Sequence, residues 1–383
     1  MYQNKLIELL KELSAKEWKA FEAFVASPIF NTSKKIIDLL AILKPFAPSF
    51  EAEKLTQDYL STALFPEKKG NPEKNLSNLT TRLLRLLEQF FAFQYWQNDE
   101  NKQDNDLLRN LLARNKNKLA KQNLAKIATK REKQTQKSFR FYDSQVLFLE
   151  QKYRYSLRQK MPIKWANLQD NSDALDEVYI LKKLKYACIM RHREKVYNTK
   201  HDITLLPEIL KVVEIKYLCK NVAIEIYYTC FKMLDMNEYN AAEKLTTLLT
   251  EKGSILNKTD LANLYGFLLS FYNRQSVKQY DKMLHIYLLK LEEGLLNDGK
   301  FLHHKNLNNL MICALKAEKF KLAEQLATKY KKQIEPKFAL IFYHFNMGKS
   351  AFYQANYEKA SQHFEQIESV SYTHLRAHET CGH

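Results

Sequence analysis

The chain has 383 residues, and Gly and Pro together supply only 15 of them. That is about a third of average usage, which excludes the turn-rich sandwiches, barrels and doubly wound sheets. The 45% hydrophobic content, with 12% Phe, Trp and Tyr, excludes disorder, and what remains for a chain of net charge +17 is an all-α protein.

The first 98 residues predict an N-terminal helical domain. Leu6, Leu9, Leu10 and Leu13 recur at helical spacing. Ser14 and Glu17 form an S-x-x-E capping box, so a second helix starts near Ala15 and ends before Ser27-Pro28. Asn31 or Ser33 can cap a third over Ile36–Leu43, and a fourth covers about 51–64. Asn71-Pro72 supplies a cap and a first-turn proline for a fifth. Its apolar residues, from Leu76 to Phe93, form more than one stripe, which makes it the central helix.

Residues 99–160 read as one or two long helices, with Asp106 able to cap one beginning at Leu107. Their middle is basic: 109–140 holds eleven Lys or Arg against one acid, Glu132. Arg114, Lys116, Lys118, Lys121, Lys126, Lys130, Arg131, Lys133 and Lys137 form a candidate polyanion surface. A Lys-rich solvated helix face explains the same pattern and is the favoured reading. Arg140, Lys152, Arg154 and Arg158 alternate with Phe139, Phe141, Tyr142, Tyr153 and Tyr155, a mixture able to stack bases. The helical spacing of those aromatics favours packing instead.

Residues 161–370 predict successive helices near 173–198, 203–219, 222–235, 239–251, 259–273, 277–296, 304–317, 319–333, 337–354 and 357–369, joined by short gaps. Met347-Gly348, Ala360 twelve residues after Gly348, and Phe364 four further on fit a repeat of paired helices, with Tyr357 three before Ala360. Gly348 and Ala360 let two helices approach closely, and Phe364 is expected to fill the seam to the next unit. Weaker copies hold Phe320 with Ala323, and Tyr239 with Ala242.

These residues resemble the tetratricopeptide repeat, most clearly over 304–369, and the resemblance implies an α-solenoid whose groove takes a protein or peptide. The Trp and Tyr slots of that pattern hold His344 and Ala351, so the repeats are divergent. EWKAFEAFVASPIFN (17–31), Leu64-Phe65-Pro66 before the long apolar helix, and LDEVYILKKL (175–184) are also similar to a family of bacterial helical proteins. That resemblance implies a fold and no activity. The last residues, SYTHLRAHETCGH (371–383), break the local trend, resemble a translated sequencing-adapter artefact and are expected to be non-native.

Catalytic and metal readings fail on spacing. Gly348-Lys349-Ser350 lacks the earlier Gly of a phosphate loop, since Tyr343 stands there. Cys188 and His192 are four apart but have no second pair; Cys313 reads as core and His303-His304 as a solvated pair. His374, His378, Cys381 and His383 miss the H-E-x-x-H spacing. No catalytic residue, cofactor or metal is expected. No run of about eighteen apolar residues occurs, so no membrane insertion is expected. The N-terminus lacks a signal peptide's apolar core, and five cysteines without paired spacing predict reduced thiols in the cytoplasm. The expectation is a non-enzymatic interaction scaffold, with nucleic-acid binding through 109–140 as the alternative.

Overall fold

The computed structural model describes residues 4–367 except 52, 54, 68–70, 163, 164 and 166; the 371–383 tail therefore lies outside the described residues. The described residues are mostly helical and fall into two compact units, 1–116 and 117–383.

The first unit holds α1 (Lys5–Lys11), α2 (Ala15–Ala26), α3 (Lys34–Leu43), α4 (Gln57–Leu64), α5 (Pro72–Gln97) and α6 (Glu100–Ala113). Side-chain caps set most of the starts. Ser14 and Glu17 close the expected capping box, and Asn71 accepts from the Lys74 amide ahead of Pro72. The structure moves two expected boundaries. α4 begins later, where Thr56 caps it. α6 begins earlier, because Asp99 accepts from the Lys102 amide, while Asp106 takes the Trp96 indole N–H at 3.0 Å. α5 packs against all five of the other helices, as its several apolar stripes require. Phe90 of α5 meets Phe21 and Phe24 of α2, with ring centroids 5.3 and 5.6 Å apart.

The second unit opens with α7 (Asn117–Lys133), α8 (Phe139–Arg158) and α9 (Leu168–Tyr197). Thus 99–160 is three helices rather than one or two. Asn115, with φ of 56°, ends α6, and 134–138 between α7 and α8 form no helix. Next come α10 (Leu206–Val212), passing into a π-helical turn (Val213–Tyr217), and then α11 (Val222–Met236), α12 (Tyr239–Lys252), α13 (Lys258–Asn273), α14 (Tyr280–Glu292), α15 (His304–Lys316), α16 (Phe320–Tyr330) and α17 (Pro336–Tyr353). A helical stretch over 357–367 closes the described chain. Between α14 and α15, Asn297–Asp298 and Phe301–Leu302 pair as a two-stranded antiparallel ribbon. It was not legible in the sequence. α14 stops because Gly294, at φ of 67°, turns the chain, and the Leu295 amide reaches back to the Lys290 carbonyl at 2.8 Å.

Successive helices pack as neighbours: α11 on α12, α13 on α14, α14 on α15, α15 on α16, and α16 on α17. α9 and α13 also flank α11, which buries eleven of its 15 residues. A polar cluster ties these three together. Lys185 of α9 donates to Asp260 of α13 at 2.6 Å, and Asp260 also takes the Asn257 amide group. Asp260 is 2% exposed. Burial first, and the Asp260 charge second, push the phenol of Tyr227 in α11 far above its ordinary value.

Three hairpins share one local plan. A residue in the left-handed conformation ends the first helix: Asn237, Glu318 or Ala355, with φ of 55, 57 and 58°. Two residues later comes an aromatic, Tyr239, Phe320 or Tyr357, and three beyond that an alanine, Ala242, Ala323 or Ala360. At Lys319 and Asn356 the amide reaches five residues back, to Ala314 and Ala351, at 2.8 and 2.9 Å, which satisfies orphan helix-end carbonyls. Left-handed backbone costs a non-glycine residue roughly 1–2 kcal/mol. Ala355→Gly and Glu318→Gly should therefore each stabilise the fold by about 0.5–1 kcal/mol, after allowing for the extra unfolded-state entropy of glycine. Urea unfolding midpoints at constant m-value check this.

Candidate interaction surfaces

The residues singled out for repeat packing separate into two groups. Ala242, Ala323 and Ala360 are buried, at 0, 0 and 3% exposure. Gly348 is buried in α17, and a Cβ placed on it would stand 2.7 Å from Cε1 of Phe364. Phe364 thus covers Gly348 inside the hairpin, rather than filling a seam to a following unit. Tyr357, expected to pack within the repeat, is instead 64% exposed. Its ring meets Phe352 edge-on, with centroids 5.6 Å apart.

Tyr357 belongs to a surface that sequence reasoning missed. Phe345, Phe352 and Tyr353 of α17 are also exposed, as is Ile312 of α15. Lys316 of α15 lies over the Tyr353 ring at 4.9 Å, and Lys349 lies over Phe345 at 4.6 Å. The available signal was the density of aromatics in 345–357, more than the two facing helices can bury.

The basic segment is split by the fold. Arg114 and Lys116 fall in the first unit, and Lys118 through Lys137 in the second. α7 buries Ala120, Leu124, Ile127 and Arg131 along one face. Lys118, Lys121, Lys126 and Lys133 are exposed on the rest of its surface, and no ion pair among the described residues involves them. Lys130 and Lys137 are half-buried. Arg131 does not belong to the surface. It is 5% exposed, its guanidinium donates to the Ser144 hydroxyl and Gln145 at 3.1 Å each, and it lies 5.0 Å from the centre of the Phe148 ring. The aromatics beyond α7 follow the packing reading, since Phe141, Tyr142 and Tyr155 are buried.

Gly348-Lys349-Ser350 sits within α17, where helical bonding occupies its amides, and Ser350 donates to Glu324 at 2.8 Å. Cys188 is fully buried, and burial, then Cys230, drives its thiol well above the ordinary value. Cys313 is likewise buried, and burial raises its thiol to about 11. His303 and His304 are half-buried, not solvated; they stack on each other, and His304 lies 4.2 Å from the Phe338 ring centre. Among the described residues no group of three or more His, Cys, Asp or Glu is placed to hold a metal ion. No described helix is long and apolar enough to cross a membrane.

A histidine pair joins α17 to the 357–367 stretch. Nδ1 of His344 stands 3.1 Å from Nδ1 of His363, so one ring nitrogen donates and the other accepts. Burial, then His363 and Lys331, lower the pKa of His344; burial and Lys359 lower that of His363, against an opposing Glu324.

Two outcomes follow from this hairpin. Gly348→Ala should destabilise the wild type by about 1 kcal/mol, yet stabilise a Phe364→Ala background by about 0.5–1 kcal/mol through helix propensity. A double-mutant cycle in urea reads this sign change. Because both imidazoles have folded pKa values below the unfolded value of about 6.5, acid favours the unfolded chain. Their contribution is whole above about pH 6.5 and lost as pH falls toward the folded values. His344→Asn with His363→Asn should flatten that part of the stability–pH curve.

Comparison with protein-family models, curated proteins and solved structures returns no match.

Proposed function

We propose that the chain is a non-enzymatic scaffold that holds a protein or peptide partner on a divergent tetratricopeptide-like α-solenoid formed within 161–370, in the cytoplasm. The observation that carries this reading is the hairpin plan repeated three times. A left-handed turn, an aromatic and a buried alanine recur at Ala242, Ala323 and Ala360, the last two 37 positions apart. A stack of such hairpins buries one face of each helix against its neighbours and leaves the rest for recognition. Nothing in this role calls for a catalytic residue, cofactor or metal.

The four exposed lysines of α7, in no ion pair among the described residues, favour a second reading, nucleic-acid binding. Leu119 is the one exposed large hydrophobic residue on that helix, and α7 has no aromatic to stack a base. A solvated Lys-rich face would give only weak, salt-sensitive attraction to any polyanion.

A photo-crosslinking amino acid placed at Ile312, Phe352 or Lys126 tests the readings in cells. Discrete protein adducts are expected from Ile312 and Phe352. Nucleic-acid adducts at Lys126 would make the second reading the better one. Replacing Lys118, Lys121, Lys126 and Lys133 with Gln should shift heparin elution modestly. It should leave the protein adducts unchanged.

A further inference from the structure

The geometry points to the outward face of α15, α17 and the 357–367 stretch as a docking surface for an acidic amphipathic peptide segment of a partner protein. This rests on the scaffold reading and names the chemistry of its partner.

Three observations converge here. The first is apolar exposure. Phe345, Phe352, Tyr353 and Tyr357 are 38, 55, 39 and 64% exposed, and Ile312 on the adjoining α15 is 37% exposed. Exposed aromatics gathered on one face mark interaction sites, where large rigid side chains bury much area at small entropic cost. The second is continuity. Phe352 touches both Tyr353 and Tyr357, at 6.3 and 5.6 Å between centroids, and Lys316 bridges from α15 to Tyr353. The surface therefore crosses the helix seams and belongs to one body, the second unit.

The third is charge. Lys305 and Lys316 of α15 and Lys349 of α17 share this side of the hairpins, and none forms an ion pair among the described residues. Most of the nearby acids are otherwise placed. Glu324 accepts from Ser350 and Gln354, Glu335 pairs with Lys337, and Glu318 stands at the turn before α16, which leaves exposed Glu358 beside Tyr357 as an acid within the 357–367 stretch. An aromatic strip flanked by uncompensated ammonium groups complements a helix with an apolar face and carboxylates at its margins. The apolar share exceeds the cationic, and Ile312 offers no ring to stack a base, so a peptide fits better than a nucleic-acid strand.

The test is peptide-display selection on the full chain, repeated with Phe345→Ser/Phe352→Ser and with Lys316→Glu/Lys349→Glu. Circular dichroism shows that each variant keeps its helix content. Selected peptides are expected to be acidic, with apolar residues at i and i+4. Each double variant should weaken them by roughly tenfold or more, and the charge-reversed one should instead prefer basic peptides. Acidic peptides bound equally well by the variants would overturn this surface while leaving the scaffold reading in place. Failure to select any peptide would count against both. Three results would replace the occupant and overturn the proposal: self-association abolished by the variants, poly(U) binding lost in them, or peptide affinity raised roughly tenfold when 368–383 is replaced by Gly-Ser.

Discussion

A buried alanine one turn into the second helix is the constraint that three hairpins of the second unit share. In each of three hairpins the alanine is the fourth residue of the second helix, one turn past the tight connection. At that position the side chain is closed off from solvent, so a bulkier one would have to displace its neighbours. A larger side chain would push the helices apart, and the displacement would grow along their length. Ala242, Ala323 and Ala360 are accordingly closed to solvent, whereas the aromatics three residues before them range from half-buried Phe320 to exposed Tyr357. The alanine slot is fixed by geometry; the aromatic slot is fixed only where a neighbour stands over it.

The same economy governs the turns. The chain has 7 glycines, and the left-handed positions that end helices are filled by Asn, Glu, Lys, Ala and Cys as well as Gly. Each non-glycine there costs roughly 1–2 kcal/mol. Backward amide-to-carbonyl bonds and the packing of the hairpin offset that cost. The polar core is handled differently. Asp260 is nearly sealed from water but receives Lys185 and the Asn257 side chain, so a carboxylate fixes the spacing of α9 and α13 around α11. Removing one partner from such a cluster leaves a buried charge, which costs more than the cluster itself contributes.

Local signals were legible where the physics is local. The capping box at Ser14 and Glu17, the Asn71-Pro72 start and the helix order from 173 to 367 required only the spacing of caps, prolines and apolar residues. Three readings failed because a distant residue decides them. Asp106 has the chemistry of a cap, yet the Trp96 indole claims it and Asp99 caps the helix instead. Arg131 sits in a run of surface cations, but its angular position on α7 coincides with Leu124 and Ile127, and Ser144 of α8 supplies its acceptor. Helical phase was available in the sequence for Arg131; the partner was not. Tyr357 occupies an aromatic slot of the repeat pattern, and only the absence of a covering side chain among the described residues shows that it faces outward.

Under the proposed scaffold role, burial also determines where a partner can be held. In a groove shared evenly along a solenoid, the first helix of every hairpin would present a comparable outward stripe. Here α11 is enclosed by α9, α12, α13 and the π-helical turn, and only Val222 and Lys232 keep partial exposure before its last two residues. α13 offers Thr259, Asn263, Gly266 and Ser270, small groups with little area to bury. α15 and α17 instead turn Lys305, Asn309, Ile312, Lys316, Phe345 and Phe352 outward. Binding energy concentrates in a few large side chains near the centre of an interface rather than spreading over its area. Under the proposed scaffold role, α15 and α17 therefore offer a partner more large side chains than the largely enclosed α11 and α13.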